Sequence, residues 1–248
     1  MTADGWMEWL EEDGRLMPII GTTQVLCQLC WGPTKAIDGE AGRYYATCYD
    51  CSTYRHWLDA VVPISYATAD GLEALVWGFK DNDQRWLALP LGTLLKRFLD
   101  RHLEHIAQVV GADIATVVPS HPRARHGWDH MKRLVRVVKG WEDQADWDLD
   151  LLVKTKPSRQ GQRGLDPQMY VLGEDRAVRD ASVVLIDDVF TNGGTLTSAA
   201  MTLKQAGAER VTAVSIGRIL NPAGWEPARP VAESQSARAF DIDECVLE

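Results

Sequence analysis

Two adjacent acids, Asp187 and Asp188, follow the apolar run Val183-Val184-Leu185-Ile186 and precede Thr191-Asn192-Gly193-Gly194-Thr195. A β-branched run of this kind predicts a strand that delivers both carboxylates to the C-terminal edge of a sheet, where open α/β folds bind ligands. Gly193 and Gly194 let the backbone approach a ligand closely, and a helix starting there leaves free amides pointing outward. Such a turn cradles phosphate. Hydrogen bonds from the amides and from the Thr191 and Thr195 hydroxyls to a charged phosphate contribute about 1.5–3 kcal/mol each. Carboxylates beside a phosphate conflict unless the ligand offers sugar hydroxyls or a bound Mg²⁺ to the acids and its phosphate to the turn. A phosphorylated ribose meets both conditions. The acid-tipped strand also fits a nucleoside triphosphatase, but no Gly-x-x-x-x-Gly-Lys-Ser/Thr accompanies it. A purely structural turn is the remaining alternative.

The second set is Cys27-x₂-Cys30 and Cys48-x₂-Cys51, a spacing that suits a tetrahedral four-thiolate zinc site. Four thiolates leave no position for water, so the expected Zn²⁺ is structural. Metal binding contributes on the order of 10–16 kcal/mol to the folding of small modules of this type. Cys245 stands alone near the C-terminus.

The elements that must position these residues follow from periodicity. Ala60–Ala67 reads as a strand, and Gly71–Lys80 and Trp86–Val110 as helices, with Pro90 in the first turn of the second. Ile114–Val118 predicts a short buried strand, Ser120–Gly127 a loop and Trp128–Gly140 a helix. Leu149–Val153 could form another strand ahead of a polar loop, Lys154–Gln168. Ser182–Ile186, the turn Asp187–Gly194, helix Thr195–Gln205 closed by Gly207, and strand Arg210–Ile216 complete the series. Alternating strands and helices imply an α/β fold with a parallel sheet. The expected organisation is an acidic, amphipathic extension (1–20), a zinc module (21–58), the α/β domain (59–220) and a loosely held tail (221–248) rich in proline, serine and acids.

The composition of the 248 residues, 46% apolar and 25% charged, is that of a globular chain. No apolar run approaches a membrane span, and the first residues carry Asp4, Glu8, Glu11 and Glu12 in place of a basic leader segment, so a cytoplasmic protein is expected. The same acids would repel anionic lipid from a face bearing Trp6, Met7, Trp9 and Leu10. A net charge of −9 argues against a chain coated in nucleic acid. Local basic stretches remain for anions, one from Arg123 through His130 to Lys139 and one comprising Lys154, Lys156, Arg159 and Arg163. His121, His126 and His130 read as exposed histidines, with a metal or acid/base role as the alternative, and Trp128, Trp141 and Trp147 as residues of the core or its rim, with stacking on bases as theirs.

The strand, twin acids and Thr-x-Gly-Gly-Thr turn resemble the phosphoribosyl pyrophosphate (PRPP) motif of type I phosphoribosyltransferases, with Asn192 where many members have a second threonine. Zinc-type cysteines ahead of such a domain resemble the ComF-like family, which is amidophosphoribosyltransferase-like and linked to natural competence. Val76-Trp77-Gly78-Phe79-Lys80, Val117-Val118-Pro119-Ser120 and Arg125-His126-Gly127-Trp128-Asp129 are similar to family segments, with departures at Val117, His126 and Asp129. The resemblance implies a type I fold, PRPP brought with Mg²⁺, ribose and metal contacts from Asp187 and Asp188, and 5′-phosphate contacts from Thr191 to Thr195. It also implies pyrophosphate contacts from Val118, Pro119, Ser120, Arg123 and Arg125. Arg159–Asp166 resembles the family's flexible loop, and a solvated linker is the alternative. Two functions follow. One is transfer of the phosphoribosyl group to an unidentified nitrogen acceptor with release of pyrophosphate. The other is PRPP binding without turnover, with local basic patches contacting single-stranded DNA during uptake. Neither the acceptor nor the oligomeric state is legible.

Overall fold

A continuous apolar run suits a strand covered on both faces, and Val183–Ile186 occupies such a place. In the computed structural model, which describes residues 1–19, 25–54, 56–110 (backbone only for 107–110), 113–120, 127–137, 146–156 and 164–247, the chain opens with helix α1 (Ala3–Glu11). The cysteine segment carries the short helix α2 (Tyr49–Tyr54) and leads into strand β1 (Ala60–Ala67). Helices α3 (Leu72–Asp81) and α4 (Ala88–Val110) then reach β2 (Ile114–Val117), α5 (His130–Val137) and β3 (Asp146–Trp147). A hairpin of β4 (Leu152–Lys154) and β5 (Tyr170–Leu172) precedes β6 (Ser182–Phe190), α6 (Gly194–Gln205), β7 (Arg210–Ile219) and α7 (Ala228–Ser236).

Five of the strands form a parallel sheet in the order β1-β7-β6-β2-β3. Strand alternation splits its core in two. Val184 and Ile186 join α1, α3, α4 and α5 on one face, through Leu10, Phe79, Leu94, Phe98 and Leu134. Val183 and Leu185 face the other way, onto Leu196, Ala199, Ala200 and Leu203 of α6 and onto Cys27, Cys30 and Cys51. Pro63, which lacks a ladder donor, sits in β1 at the sheet edge. The expected α/β fold with a parallel sheet is present.

The order also creates a switch point. The chain leaves β2 outward to β3 and returns on the opposite side of β2 to build β6, so the connections diverge beyond the carboxyl ends of β2 and β6. Open α/β sheets hold ligands in that crevice.

Three local expectations differ from the structure. β6 does not stop at Ile186: its pairing continues through Asp187 opposite Ser215 to Phe190 opposite Arg218, because β7 also runs on to Ile219. The acids therefore lie within the strand and not in a turn. The strand read at Leu149–Val153 is displaced to β4, which pairs antiparallel with β5, and the sheet edge is taken by Asp146–Trp147. After Leu220, where periodicity fades, α7 forms and buries Ala228 and Val231 in a cluster with Tyr66 and Leu220. Phe240, Ile242 and Val246 pack on the main core, and His102 Nε2 lies 2.9 Å from the Ile242 carbonyl. The apolar face of α1 is likewise covered, with Met7 and Leu10 buried in the cluster that contains α4. No helix among the described residues is long and apolar enough to cross a membrane.

Candidate functional site

At the switch point, β2 and β6 bring the two motif loops side by side. Val118 N donates to the Ile186 carbonyl at 2.8 Å, which ties the start of the loop after β2 to the strand carrying the acids. Asp187 and Asp188 are both buried, 6% and 4% exposed. The Asp187 carboxylate accepts from Asp188 N at 3.0 Å, and Asp188 Oδ1 accepts from Val189 N at 2.7 Å. Asp188 Oδ2 receives Lys80 Nζ and His130 Nε2, each at 2.8 Å. His130 Nδ1 lies 2.5 Å from Ser120 Oγ. A continuous chain of polar contacts thus links Ser120, after β2, through His130 to the acid at the end of β6.

The loop's two ends are pinned together. Ser120 N donates to Asp129 Oδ2 at 2.8 Å, while Asp129 Oδ1 accepts from Lys132 N at 3.1 Å and so caps the start of α5. A cavity of about 210 Å³ opens beside this loop, bordered by Pro119, Ser120, Trp128, Asp129, Lys132 and Lys154. Arg123 and Arg125, which the resemblance assigns to pyrophosphate, and the segment 157–163 lie outside the described residues, as do His121 and His126.

The charges differ sharply. Burial, reinforced by the neighbouring Asp188 charge, pushes Asp187 up to about 7. For Asp188 burial acts in the same direction, but the charges and hydrogen bonds of Lys80 and His130 outweigh it and hold the carboxyl well below the usual range. Lys80 is raised: burial disfavours its charge, and Asp188 and Asp187 more than compensate. Lys154, buried in β4, is lowered by burial despite attraction to Asp187.

The turn after β6 has the form the spacing predicts. Gly193 caps α6 with φ of 77°, in the left-handed region that favours glycine. A Cβ there would stand 2.5 Å from the Phe190 ring, and one on Gly194 would stand 2.9 Å from the Gly164 carbonyl. Gly194 N donates to Asn192 Oδ1 at 3.0 Å, so the Asn192 side chain braces the helix start. Thr197 N closes the first helical turn onto the Gly193 carbonyl at 2.8 Å. Thr191 is exposed and Thr195 partly so. Helix starts leave unpaired amides and a partial positive charge, a fit for an anion.

On the sheet's other face the four predicted ligands converge. The sulfurs of Cys27, Cys30, Cys48 and Cys51 all lie within 4.8 Å of one another, and Cys30 and Cys48 are 3.8 Å apart. Tetrahedral thiolates about 2.3 Å from one ion stand about 3.8 Å apart, so the donor set fits a four-coordinate metal. Cys245 lies elsewhere, against the main core.

Several site residues escaped the sequence reading. His130, read as exposed, is buried because it begins α5 directly over the end of β6, where its ring also meets Phe79 edge-on at 6.2 Å. Lys80 was legible only as part of a family-like segment, and Lys154 only as one charge in a basic stretch. Tyr66 and Phe79 are fully buried in the core. Tyr66 donates its hydroxyl to the Trp31 carbonyl at 2.6 Å, and Phe79 packs on Trp128 at 5.2 Å.

No protein-family model matches the chain, and no curated protein does. Among solved structures it is similar to a hypoxanthine phosphoribosyltransferase from Staphylococcus aureus, with 14% identity and a TM-score of 0.29. That alignment covers 48% of this chain and 62% of the other, so less than two thirds of that enzyme's length is spanned. A purine phosphoribosyltransferase from Pyrococcus horikoshii is similar at 16% identity and a TM-score of 0.31, covering 53% of this chain and 90% of the other.

Proposed function

We propose that this chain is a phosphoribosyltransferase-type protein of the ComF-like kind, which binds PRPP together with Mg²⁺ and transfers the phosphoribosyl group to a nitrogen acceptor. The observation that carries this reading is the buried acid pair in the C-terminal half of β6, with the Gly193-Gly194 helix start just beyond the strand and the start of the loop after β2 beside it at the switch point. The 5′-phosphate sits on Thr191 to Thr195, and the ribose hydroxyls and the Mg²⁺ brought by the substrate meet Asp187 and Asp188. Pyrophosphate lies along Val118, Pro119 and Ser120, with Arg123 and Arg125 as its cations.

In the reaction the bond from the anomeric carbon to pyrophosphate breaks, and its electron pair leaves with the pyrophosphate oxygen. The acceptor nitrogen forms the new bond and gives its proton to solvent. Lys80 and His130 hold Asp188 in place through its Oδ2, and the carboxylates lower the energy of the oxocarbenium-like state. Zinc held by Cys27, Cys30, Cys48 and Cys51 is structural in this reading, since four thiolates complete its coordination.

The test is calorimetric titration of PRPP with Mg²⁺ into the wild-type chain and into the Asp187→Asn, Asp188→Asn double variant, with pyrophosphate release followed for a panel of amines and bases. Binding by the wild type and its loss in the double variant is expected. Equal affinity in both would reject the site.

Binding without turnover, with single-stranded DNA as partner, is the second reading. Local pairing weakens it: Lys132 meets Asp150 at 2.6 Å, Lys156 meets Asp166 at 3.5 Å, and Arg133 lies 5.7 Å from the Trp128 ring. A low-salt mobility shift with an oligonucleotide, fading steeply as salt rises, would restore it.

A further inference from the structure

Arg218 ends the buried run of β7 as a guanidinium only 7% exposed, and its contacts reach two separate features. Nη1 donates to the carbonyls of Phe190 at 3.1 Å, Thr191 at 2.9 Å and Ile219 at 3.0 Å. On the other side, Nε donates to the Cys30 carbonyl at 3.2 Å, and Nη2 lies 3.5 Å from Cys30 Sγ. The Phe190 ring packs under the guanidinium at 5.1 Å. Gly32 leaves the room for it, since a Cβ there would stand 2.2 Å from Nη2.

Two consequences follow from elementary chemistry. A buried cation without a counter-charge is strongly destabilising. Among the described residues no carboxylate ion-pairs with Arg218, so the charge that offsets it is that of the thiolate cluster. Four thiolates around a divalent ion keep a net charge of two minus. Secondly, a trans peptide directs its C=O and N–H oppositely, and the described chain has no cis bond. Holding the Phe190 and Thr191 carbonyls inward therefore turns the Thr191 and Asn192 amides away from Arg218. These are the first amides of the phosphate turn.

We propose that Arg218 is a positioning residue that ties the four-cysteine centre to the phosphate turn, so that metal in the centre and ligand on the turn stabilise one another. This rests on the readings of the centre as a zinc site and of the turn as the seat of the PRPP phosphate. Coupling of this kind is reciprocal.

The test compares the zinc-loaded wild type with Arg218→Met and Arg218→Lys. Zinc release to a colorimetric chelator is timed with and without PRPP and Mg²⁺, and amide hydrogen exchange is followed in peptides spanning 183–187 and 190–196. In the wild type, saturating PRPP slows zinc release several-fold. Arg218→Met accelerates release by about 10–100-fold, the usual scale for groups that support metal ligands, and removes the effect of PRPP. It also speeds exchange at 190–196 while leaving 183–187 protected. Arg218→Lys, which keeps the charge without the fork, retains zinc better than Arg218→Met but still loosens 190–196, so a misfolded methionine variant would not leave the matter open. Failure of the wild type to bind PRPP at all overturns the proposed substrate, and the exchange data then decide Arg218 alone. Wild-type exchange at 190–196 and wild-type zinc release in both variants would overturn the role of Arg218.

Discussion

Asp187 ionises near neutral pH because burial and the adjacent carboxylate both oppose its charge, whereas Asp188 stays charged because Lys80 and His130 surround one of its oxygens. If Asp187 accepts ribose hydroxyls or metal as a carboxylate, affinity for PRPP with Mg²⁺ should rise between pH 6 and pH 8, since the group titrates at about 7. Calorimetry across that range checks this, and Asp187→Asn should flatten the dependence. Stability runs the other way. The folded-state value stands above the reference value of 3.8, so between these two values the unfolded chain gives up the proton first and the fold loses stability as pH rises. Asp187→Asn is therefore expected to raise the apparent Tm at pH 8 while weakening ligand binding. The acids and the glycine turn were readable in order along the chain because they are contiguous. Their partners were not: Lys80 and His130 stand 108 and 58 residues from Asp188, and local periodicity carries no information about which helix ends meet there.

The junction between β6 and α6 concentrates its constraint on Gly193. Any side chain there meets both a left-handed backbone and the Phe190 ring. Gly193→Ala should lower stability by about 1–3 kcal/mol, measured by urea unfolding, and should also reduce PRPP affinity because the turn must reshape. The spacing foretold this strand, turn and helix but ended the strand at Ile186. Polar residues signal the end of an apolar run, yet a neighbouring strand of equal reach keeps the ladder intact through Phe190. The same limit hid α7, whose anchors Ala228 and Val231 are too few to show a period until Tyr66 and Leu220 present a surface for them.

Considered as one body, the protein stacks a cysteine centre, a parallel sheet and a helical layer, with the cysteines forming part of the core beneath α6. Metal removal should therefore be felt beyond the knuckle. Chelation is expected to lower the apparent Tm in a way that Zn²⁺ restores and Mg²⁺ does not. Cys48→Ser should reduce bound zinc measured by elemental analysis, whereas Cys245→Ser, outside the cluster, should leave it unchanged. The sequence by itself determined the features written in short-range spacing: the acid pair, the glycine turn, the paired cysteines and the alternation that implies a parallel sheet. Only the tertiary structure decided that His130 and Lys80 converge on Asp188, and that Arg218 grips both Cys30 and Thr191. Strand order and crossover create those meetings, and pairing between distant segments leaves no local trace in residue order.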